Sequence, residues 1–410
     1  MRRLLMAFLV AFVAINFADK AIFGLSAAQI MAEMRLTNGQ FGAIGGSFFA
    51  LFSIAALVVG RQGDRRRAVP LLGALSAVWS AAQVLAILST NAAALVVSRV
   101  VLGAGEGPAF PLALHVSFGF IPERARAQAT GFLLAGAPLG TSLAALLLTP
   151  VLVRFGWRSA YATLALLSLL WAIAWIAVAP KRQPEQPAPE DERLSWRALF
   201  ANRRMNGAMF ASFVCYFSNT IGIVWFPKFF ETGAGVGSTA TGSILAIVWA
   251  SQIPVCIFAG LAISRLASVR SGTATFYGRC GLGALVLVGL SFIGLAATQS
   301  LSVVVASAVM SLVASVVVFV AFAPLVAELA PAGMRAAALG AYAAIYSLGG
   351  AFGPWLFGVA LDFGGGASDG YRMAFTALGA LTLGASLIAA FLILPRSKNV
   401  LILSREGVEA

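Results

Sequence analysis

The sequence predicts an all-α membrane protein in which twelve transmembrane helices form two six-helix bundles related by pseudo-symmetry. Hydrophobic residues make up 60% of the 410 residues and charged residues only 10%, a balance that excludes an ordinary soluble domain. Twelve apolar runs are long enough to cross the hydrocarbon core as helices. Two short motifs also recur between the first and second halves of the chain, which indicates duplicated bundles.

The twelve predicted helices follow from the continuous apolar runs along the chain. Because these runs lack the two-residue alternation of barrel strands, transmembrane strands are not expected. The first run contains Asp19 and Lys20, so it is interpreted as a spanning helix and not as a signal peptide. The predicted helices lie near residues 4–28, 40–60, 69–90, 93–118, 127–152, 158–179, 205–229, 240–264, 273–297, 300–327, 336–361 and 371–394.

Basic residues are distributed unequally between the two sides of the predicted membrane domain. Of the 28 Lys and Arg residues, 21 fall on the side of the N-terminus, five on the opposite side and two inside the helices. The positive-inside rule therefore predicts a multi-pass protein of the cell inner (plasma) membrane with both termini in the cytoplasm. The net charge of +13 is spread over short loops without a basic stripe, so nucleic acid is not an expected partner.

A polar stretch from Pro180 to Arg204 divides the chain after the sixth helix. It is rich in proline and charge, which suits an extended linker. The Gly-aromatic-Arg motif at 156–158 recurs at 370–372, and the loop motif at 60–65 is echoed at 260–265. The predicted organisation is an N-terminal bundle (1–180), a cytoplasmic linker (181–204), a C-terminal bundle (205–395) and a cytoplasmic tail (396–410).

Four ionisable residues lie inside predicted spanning helices: Asp19 and Lys20 in the first, and Arg99 and Glu106 in the fourth. A charge at this depth is energetically expensive, so such residues mark substrate or ion pathways. The seven-residue step between Arg99 and Glu106 places them on one helix face about 10 Å apart. The guanidinium fork of an arginine suits a carboxylate ligand, and a buried acid beside it can exchange a proton.

No residue pattern indicates an enzyme. The sequence contains no Ser/His/Asp set, no paired catalytic carboxylates and no cluster of metal ligands, so we predict no catalytic residue, metal site or cofactor. The glycines of Gly103-Ala-Gly105-Glu-Gly107 lie inside a helix and follow no strand, so they are interpreted as sites of close helix contact. The three cysteines lack CxxC spacing and are interpreted as packing residues: Cys215, Cys256 and Cys280.

The loop after the second helix carries a glycine and an Asp-Arg pair at Gly60, Asp64 and Arg65. This pattern resembles a signature of the major facilitator superfamily, although Arg67 stands where that signature usually has a further glycine. The resemblance extends over essentially the whole chain. It implies the twelve-helix major facilitator fold, a carrier that works by alternating access, and a gating role for Gly60, Asp64 and Arg65.

The charged helices carry two narrower patterns. One is Asn16-Phe-Ala-Asp19-Lys20, and the other is Arg99 followed by Glu106 and an aromatic-Pro pair. Both resemble motifs of the anion:cation symporter family, the bacterial relatives of the vesicular glutamate and sialic acid carriers. That family carries organic anions, commonly with protons. The resemblance, together with the chemistry of the side chains, suggests that Lys20 and Arg99 bind the substrate carboxylate while Asp19 and Glu106 take up the proton.

Other positions complete the predicted substrate site. The polar or aromatic candidates for its lining are Asn16, Asn219, Tyr346 and Ser347. Carriers of sugar acids in the family place hydrogen-bonding residues at four positions that here hold Phe52, Ala56, Ala137 and Ser347. A polyhydroxylated substrate would leave hydroxyl groups unpaired at such positions, so a small or aromatic monocarboxylate is expected.

The sequence thus predicts a proton-coupled symporter that takes up an organic anion and works as a monomer in the lipid bilayer. Two alternatives stay open. One is an efflux or exchange carrier, because Gly136-Ala-Pro138-Leu-Gly140 partly resembles the Gly-Pro element of drug:proton antiporters. The other is a membrane sensor that binds solute without moving it.

The charges also have structural interpretations. The four buried charges could be an ion-pair network that closes one face of the cavity without proton traffic. Lys228 and Asp362 lie near predicted helix ends, where long charged side chains are expected to reach water.

Overall fold

The computed structural model describes residues 2–56, 68–180, 200–268, 273–330, 335–364 and 367–394. Within these residues, twelve helices are long and apolar enough to cross a membrane, and the predicted fold class is confirmed. We number them α1 to α12: Arg2–Leu25, Asn38–Ala56, Ala68–Ile87, Ala92–Phe120, Gln128–Phe155, Trp157–Val178, Arg203–Gly233, Ser238–Ala259, Thr273–Ala297, Leu301–Leu329, Ala338–Phe363 and Ser368–Ile393.

Each helix lies close to its predicted position, and the departures have local causes. The end of α7 is extended by a π-helical segment, Phe229–Gly233. α4 is interrupted at Gly107 and Pro108, where the proline ring removes a backbone donor. A short additional helix, Ala27–Met34, follows α1. These irregularities leave the number and order of the spanning helices as predicted.

The distribution of buried apolar residues indicates how the two bundles meet. We call the side on which α1 begins the near side, and the opposite side the far side. One core cluster lies in the near-side parts of α1–α6, around Phe12 and Trp79. A second lies in the near-side parts of α7 and α9–α12, around Phe322. The third cluster combines far-side residues of both bundles, such as Phe41 and Trp225. The bundles therefore share one core on the far side and have separate cores on the near side.

Close backbone contact between α2 and α11 supports the shared far-side core. A Cβ atom at Gly42 of α2 would collide with the carbonyl group of Pro354, and one at Gly358 of α11 would collide with the backbone of Asn38. Because glycine has no Cβ atom, the two helices can approach at these positions. The ring of Phe41 on α2 is thereby brought within 5.6 Å of the Trp225 ring on α7.

Polar contacts that we call the far-side latch join α2, α7 and α11. The Asp362 carboxylate accepts hydrogen bonds from the backbone N–H groups of Asn38 (3.0 Å) and Gly39 (2.7 Å) and from the Asn38 side-chain amide (2.8 Å). Lys228 Nζ donates to Asn38 Oδ1 at 2.6 Å. Lys228 and Asp362 were expected only to reach water. Instead they join the bundles, because the start of α2 offers free N–H groups to a carboxylate.

Some predicted segments lie outside the described residues. The predicted gating residues Gly60, Asp64 and Arg65 are among them, as are residues 181–199 of the predicted linker and the predicted tail, 396–410. α7 begins at Arg203, two residues before the predicted start of the C-terminal bundle. The domain boundaries and the gating role therefore stay predictions.

Candidate functional site

The four predicted membrane charges all lie in the protein interior between α1 and α4. Asp19 is fully buried, and Lys20, Arg99 and Glu106 are each at most 7% exposed. The structure thus brings together the residues predicted to bind substrate and proton. It also assigns them different partners, so the four charges are not equivalent.

Lys20 is fully engaged by neighbouring groups. Its Nζ atom forms an ion pair with Glu106 Oε2 at 2.6 Å and donates a hydrogen bond to Asn16 Oδ1, also at 2.6 Å. The same ammonium group lies 4.0 Å from the centroid of the Phe17 ring. Asn16, a predicted lining residue, therefore supports Lys20 through its carbonyl oxygen, while its Nδ2 atom is buried without a hydrogen-bond partner among the described residues.

Asp19 is held by a residue that sequence reasoning missed. Gln83 of α3 donates a hydrogen bond from Nε2 to Asp19 Oδ1 at 2.7 Å. The other carboxyl oxygen, Oδ2, is buried and has no hydrogen-bond partner within the described part of the chain. Gln83 belongs to no motif, but it is the one amide side chain in α3, whose other residues are apolar except for two serines. A single amide in a membrane-spanning helix was the feature of the sequence that could have identified Gln83, because a buried amide needs a hydrogen-bond partner.

Arg99 forms no ion pair within the described part of the chain. Its Cζ atom lies 4.6 Å from the Phe23 ring centroid and 5.0 Å from the Phe48 ring centroid. Its Nε and Nη1 atoms are buried without hydrogen-bond partners among the described residues, and no described carboxylate lies within ion-pair distance of it. An arginine that presents free donors between aromatic rings is suited to a planar anion.

The glycines of α4 place the aromatic rings beside these charges. A Cβ atom at Gly103 would collide with the carbonyl oxygen of Phe48, and one at Gly107 with that of Phe52. Because these glycines let α2 approach α4, the rings of Phe48 and Phe52 lie 5.5 and 5.9 Å from Lys20 Nζ. The glycines were predicted to allow close helix contact, and the structure confirms it.

The opposite bundle presents aromatic rings to the charged cluster. Phe49, next to Phe48, contacts Tyr216 of α7 with ring centroids 5.8 Å apart, and Tyr216 contacts Tyr346 of α11 at 5.1 Å. Phe319 of α10 lies 5.1 Å from the Tyr346 ring. The predicted lining residue Tyr346 is therefore part of an aromatic group that continues from the α2 rings beside the charges.

Two other predicted lining residues have different surroundings. Ser347 and Ser53 share a hydrogen bond between their hydroxyl oxygens at 2.7 Å, so Ser347 joins α11 to α2. Asn219 is half-buried on α7, three residues after Tyr216. The structure gives Asn219 no contact with the four charges, and its role as a lining residue stays a prediction.

Among the described residues, no group of three or more His, Cys, Asp or Glu side chains could hold a metal ion. In general, a buried arginine is suited to bind an anion and a buried carboxyl group is suited to exchange a proton.

Comparison with curated proteins gives transporters of organic anions. A probable L-galactonate transporter of Escherichia coli (strain K12) is 26% identical over 249 residues, which are 57% of this chain and 55% of that protein. A hexuronate transporter of Bacillus subtilis (strain 168) is 24% identical, over 57% of this chain and 58% of that protein. A probable sulfoacetate transporter, SauU, of Cupriavidus necator is 26% identical over 68% of this chain and 67% of that protein. The chain thus matches little more than half the length of the first two relatives.

Solved structures share the fold over nearly the whole chain. A bacterial homologue of the human lysosomal transporter Spinster, in an inward-facing and unoccupied conformation, has a TM-score of 0.79 at 16% identity. The match covers 95% of this chain and 96% of that one. The nucleoside transporter NupG has a TM-score of 0.72 at 16% identity, with 94% and 98% of the two chains covered.

The family assignment rests on the sequence itself. A family model described as Major Facilitator Superfamily matches residues 8–354, which is most of the chain. The matched proteins are transporters, as expected for a chain predicted not to be an enzyme. The chain belongs to the Major Facilitator Superfamily.

Proposed function

We propose that the chain is a proton-coupled symporter that takes up a small or aromatic monocarboxylate by alternating access. It would act as a monomer in the cell inner membrane, with both termini in the cytoplasm. The observation that carries the proposal is Arg99, a buried cation with unpaired donors beside two buried carboxyl groups. The relatives named as transporters of galactonate, hexuronate and sulfoacetate support the coarser part of the proposal, that the substrate is an organic anion.

Arg99 is the proposed primary contact for the substrate carboxylate. Lys20 is already paired with Glu106, whereas Arg99 has no carboxylate partner among the described residues. A planar carboxylate can accept two parallel hydrogen bonds from a guanidinium group. Lys20 would join the substrate only after Glu106 releases it. The two cations would therefore act in sequence and not as equal partners.

Charge balance provides the route for proton coupling. Asp19, Glu106, Lys20 and Arg99 together have no net charge when all are ionised. A bound substrate carboxylate adds one negative charge to this buried cluster, and an uncompensated buried charge is costly. Protonation of Asp19 or Glu106 removes that excess. Protonation of Glu106 also frees Lys20, so proton and anion binding would favour each other.

The aromatic surroundings favour a flat, mainly apolar anion. Phe23 and Phe48 flank Arg99, and Tyr216 and Tyr346 continue the aromatic surface into the other bundle. Offset or edge-to-face packing of a substrate ring against such side chains is favourable. A sugar acid would find few hydrogen-bond partners for its hydroxyl groups here, which leaves them desolvated. The sulfoacetate transporter among the relatives is an example of a carrier named for a small anion.

Alternating access is supported by the packing of the bundles. The far side is closed by the shared core and by the far-side latch, while the near-side cores are separate. Transport would require the far-side contacts to break as near-side contacts form. The predicted gating residues Gly60, Asp64 and Arg65 lie on the near side of the predicted topology, and their role belongs to this proposal.

The direct test is uptake of labelled anions into proteoliposomes with and without an inward proton gradient. The panel should include aromatic, short aliphatic and sugar-acid carboxylates. We expect gradient-driven accumulation of an aromatic or short aliphatic acid and little uptake of sugar acids. If accepted substrates accumulate equally without a proton gradient, the symport proposal is wrong.

A substitution in the site tests the coupling role. Glu106→Gln should retain anion exchange but lose gradient-driven accumulation, because the residue can no longer cycle between charged and neutral forms. Glu328→Gln is the matched control, since Glu328 is an exposed acid at the end of α10. Normal accumulation by the Glu106→Gln variant would mean that Glu106 is structural.

The same assay separates the alternative functions. An efflux or exchange carrier would require an opposing solute or an outward flux for turnover, and a sensor would bind anions without any flux. The Gly136–Gly140 segment that suggested exchange has a packing explanation, because a Cβ atom at Gly140 would collide with the carbonyl oxygen of Ala14. Gly140 is needed for contact between α1 and α5 whether the protein works by uptake or by exchange.

A further inference from the structure

Gln83 is buried on α3 and contacts a carboxyl group on another helix. Its side chain is 1% exposed, and its Nε2 atom donates to Asp19 Oδ1 at 2.7 Å. Apart from two buried serines, Ser76 and Ser80, the residues of α3 are apolar. An amide in such a place is stable only when it has a hydrogen-bond partner, so the pair is a fixed feature of the interior.

We infer that Gln83 is a positioning residue for Asp19, which fixes the orientation of the carboxyl group and sets the pH at which it exchanges a proton. The inference rests on the proposed function in treating Asp19 as a residue that takes up a proton. The hydrogen bond from the Gln83 amide to Asp19 Oδ1 does not depend on which solute is carried.

The geometry gives the two carboxyl oxygens different roles. The NH₂ group of an amide can only donate, so it contacts Asp19 Oδ1 in both protonation states. Oδ2 is the oxygen without a hydrogen-bond partner among the described residues. A proton would therefore be carried on Oδ2. Without Gln83 the carboxyl group could rotate toward the neighbouring cations, and the proton-accepting oxygen would no longer be defined.

The strength of the contact depends on protonation. A hydrogen bond to an ionised carboxylate is stronger than one to a neutral acid, so Gln83 favours the ionised form. The titratable groups that face Asp19 are Lys20 on α1, Arg99 and Glu106 on α4 and Tyr161 on α6. Gln83 is the contact from α3, and its amide carries no charge. It can thus adjust proton exchange without changing the charge balance of the site.

Infrared titration of the purified, full-length protein tests this inference. The C=O band of protonated Asp19 is identified as the band that Asp19→Asn removes. In the Gln83→Met variant, which is nearly equal in size but lacks the donor, we expect the titration midpoint to rise by about one pH unit. The frequency of the band should change as well, because the carbonyl environment changes. Gln83→Asn, which keeps the amide on a shorter side chain, should show the same direction of shift.

A matched control separates positioning from a general effect on the membrane helices. Gln252 is a half-buried glutamine of α8 whose Nε2 atom bonds within its own helix, to Trp249 O at 3.4 Å. Gln252→Met should leave the Asp19 titration unchanged. The inference is overturned if Gln83→Met folds, as judged by thermal unfolding, and titrates like the wild type. It is also overturned if no band of the wild type is lost in Asp19→Asn.

Transport measurements distinguish this inference from the proposed function. In the Asp19→Asn background, Gln83→Met should not shift the pH profile of uptake any further, because the two residues act as one unit. An equal shift in both backgrounds would contradict the inference. If Gln83 moves the titration of Asp19 but uptake does not depend on the proton gradient, the symport proposal fails while the positioning role stands.

Discussion

The two bundles contribute different chemistry to the candidate site. α1–α6 supply the four buried charges and Gln83, whereas the described part of α7–α12 supplies neutral aromatic rings around Tyr216 and Tyr346. In that second bundle, Lys228 and Asp362 lie at far-side helix ends. The ion pair of the site, between Lys20 and Glu106, therefore lies inside one bundle.

This difference has a mechanical consequence. If the bundles move against each other during alternating access, charges within one bundle can keep their partners throughout the motion. Contacts between neutral rings can be broken and remade at small energetic cost, since each pair contributes only about 0.5–1.5 kcal/mol beyond its burial. A carrier built this way need not separate the buried Lys20–Glu106 ion pair when its bundles move.

The largest expected effect comes from removing the unpaired cation. Arg99→Gln should weaken anion binding about 100-fold or more, because the loss of one partner of a buried charge pair is strongly unfavourable. Arg99→Lys keeps the charge but loses the planar fork, so it should recover only part of the affinity. Binding is measured by calorimetry with the best substrate of the uptake panel.

Arg154→Gln is the control for this prediction, since Arg154 is an exposed arginine at the far end of α5. It should bind like the wild type. If Arg99→Gln retains wild-type affinity, the charged bundle does not hold the substrate carboxylate, and the proposed contrast between the bundles is wrong.

A smaller effect is expected at the far-side latch, where the bundles meet through charge. Asp362→Asn replaces a carboxylate that accepts three hydrogen bonds from α2 with a neutral amide. We expect the ratio of far-side-closed to far-side-open molecules to fall about tenfold, the size of a lost charge-assisted hydrogen bond. Spin-label distances between exposed positions 35 and 368 report this ratio by double electron–electron resonance.

Asp369→Asn is the matched control, because Asp369 is an exposed aspartate at the start of α12. It should leave the distance distribution unchanged. A distribution in Asp362→Asn that is identical to the wild type would mean that the glycine contacts of α2 and α11 suffice for closure.

A still smaller effect is expected from the neutral bundle. Tyr346→Ala removes one ring from the aromatic group, so affinity for an aromatic carboxylate should fall about fivefold relative to a short aliphatic one. Tyr277→Ala serves as control, because Tyr277 lies near the near-side start of α9 and contacts Phe276. Equal losses for both substrates in Tyr346→Ala would contradict a role in ring recognition.

The fold and the charged residues were predictable because hydropathy and charge are properties of single positions. Continuous apolar runs fix the spanning helices, and an ionisable residue inside such a run is conspicuous wherever it lies. The identity of the four buried charges needed no knowledge of which helices touch. The role of the α4 glycines in close helix contact was equally predictable, since closely spaced glycines in a membrane helix usually mark such contacts.

The pairing of those residues was not predictable, because it depends on contacts between helices. The spacing of residues in the sequence does not indicate that Lys20 pairs with Glu106 and is therefore not free to bind the substrate. Nor does it indicate that Gln83 of α3 contacts Asp19. The far-side latch was missed for the same reason. A charged residue at a helix end can reach water or a neighbouring helix, and only the arrangement of helix ends decides which.

The smallest expected effect concerns the recurring Gly-aromatic-Arg motif, which the two bundles use differently. In the first bundle, Arg158 forms an ion pair with Glu33 at 2.7 Å and donates to the carbonyl oxygens of Ile87 and Ser89. Trp157 Nε1 also donates to Glu33, at 2.8 Å. In the second bundle, the equivalent Arg372 is exposed and forms no ion pair among the described residues.

The hydrogen bonds from Arg158 and Trp157 lower the pKa of Glu33 from its ordinary value of 4.5. A carboxyl group with a lowered pKa in the folded state adds stability above pH 4.5, and this contribution is lost as the pH falls through the folded-state pKa. Because the Arg158–Glu33 pair is partly exposed, its contribution to the free energy of unfolding is only about 0.5 kcal/mol.

Glu33→Gln should therefore lower the unfolding temperature by about 1 °C at neutral pH. The difference should disappear in acid, and Asp369→Asn in the second bundle should have no effect at either pH. A difference that persists in acid would mean that packing, and not charge, makes the first bundle's motif distinct.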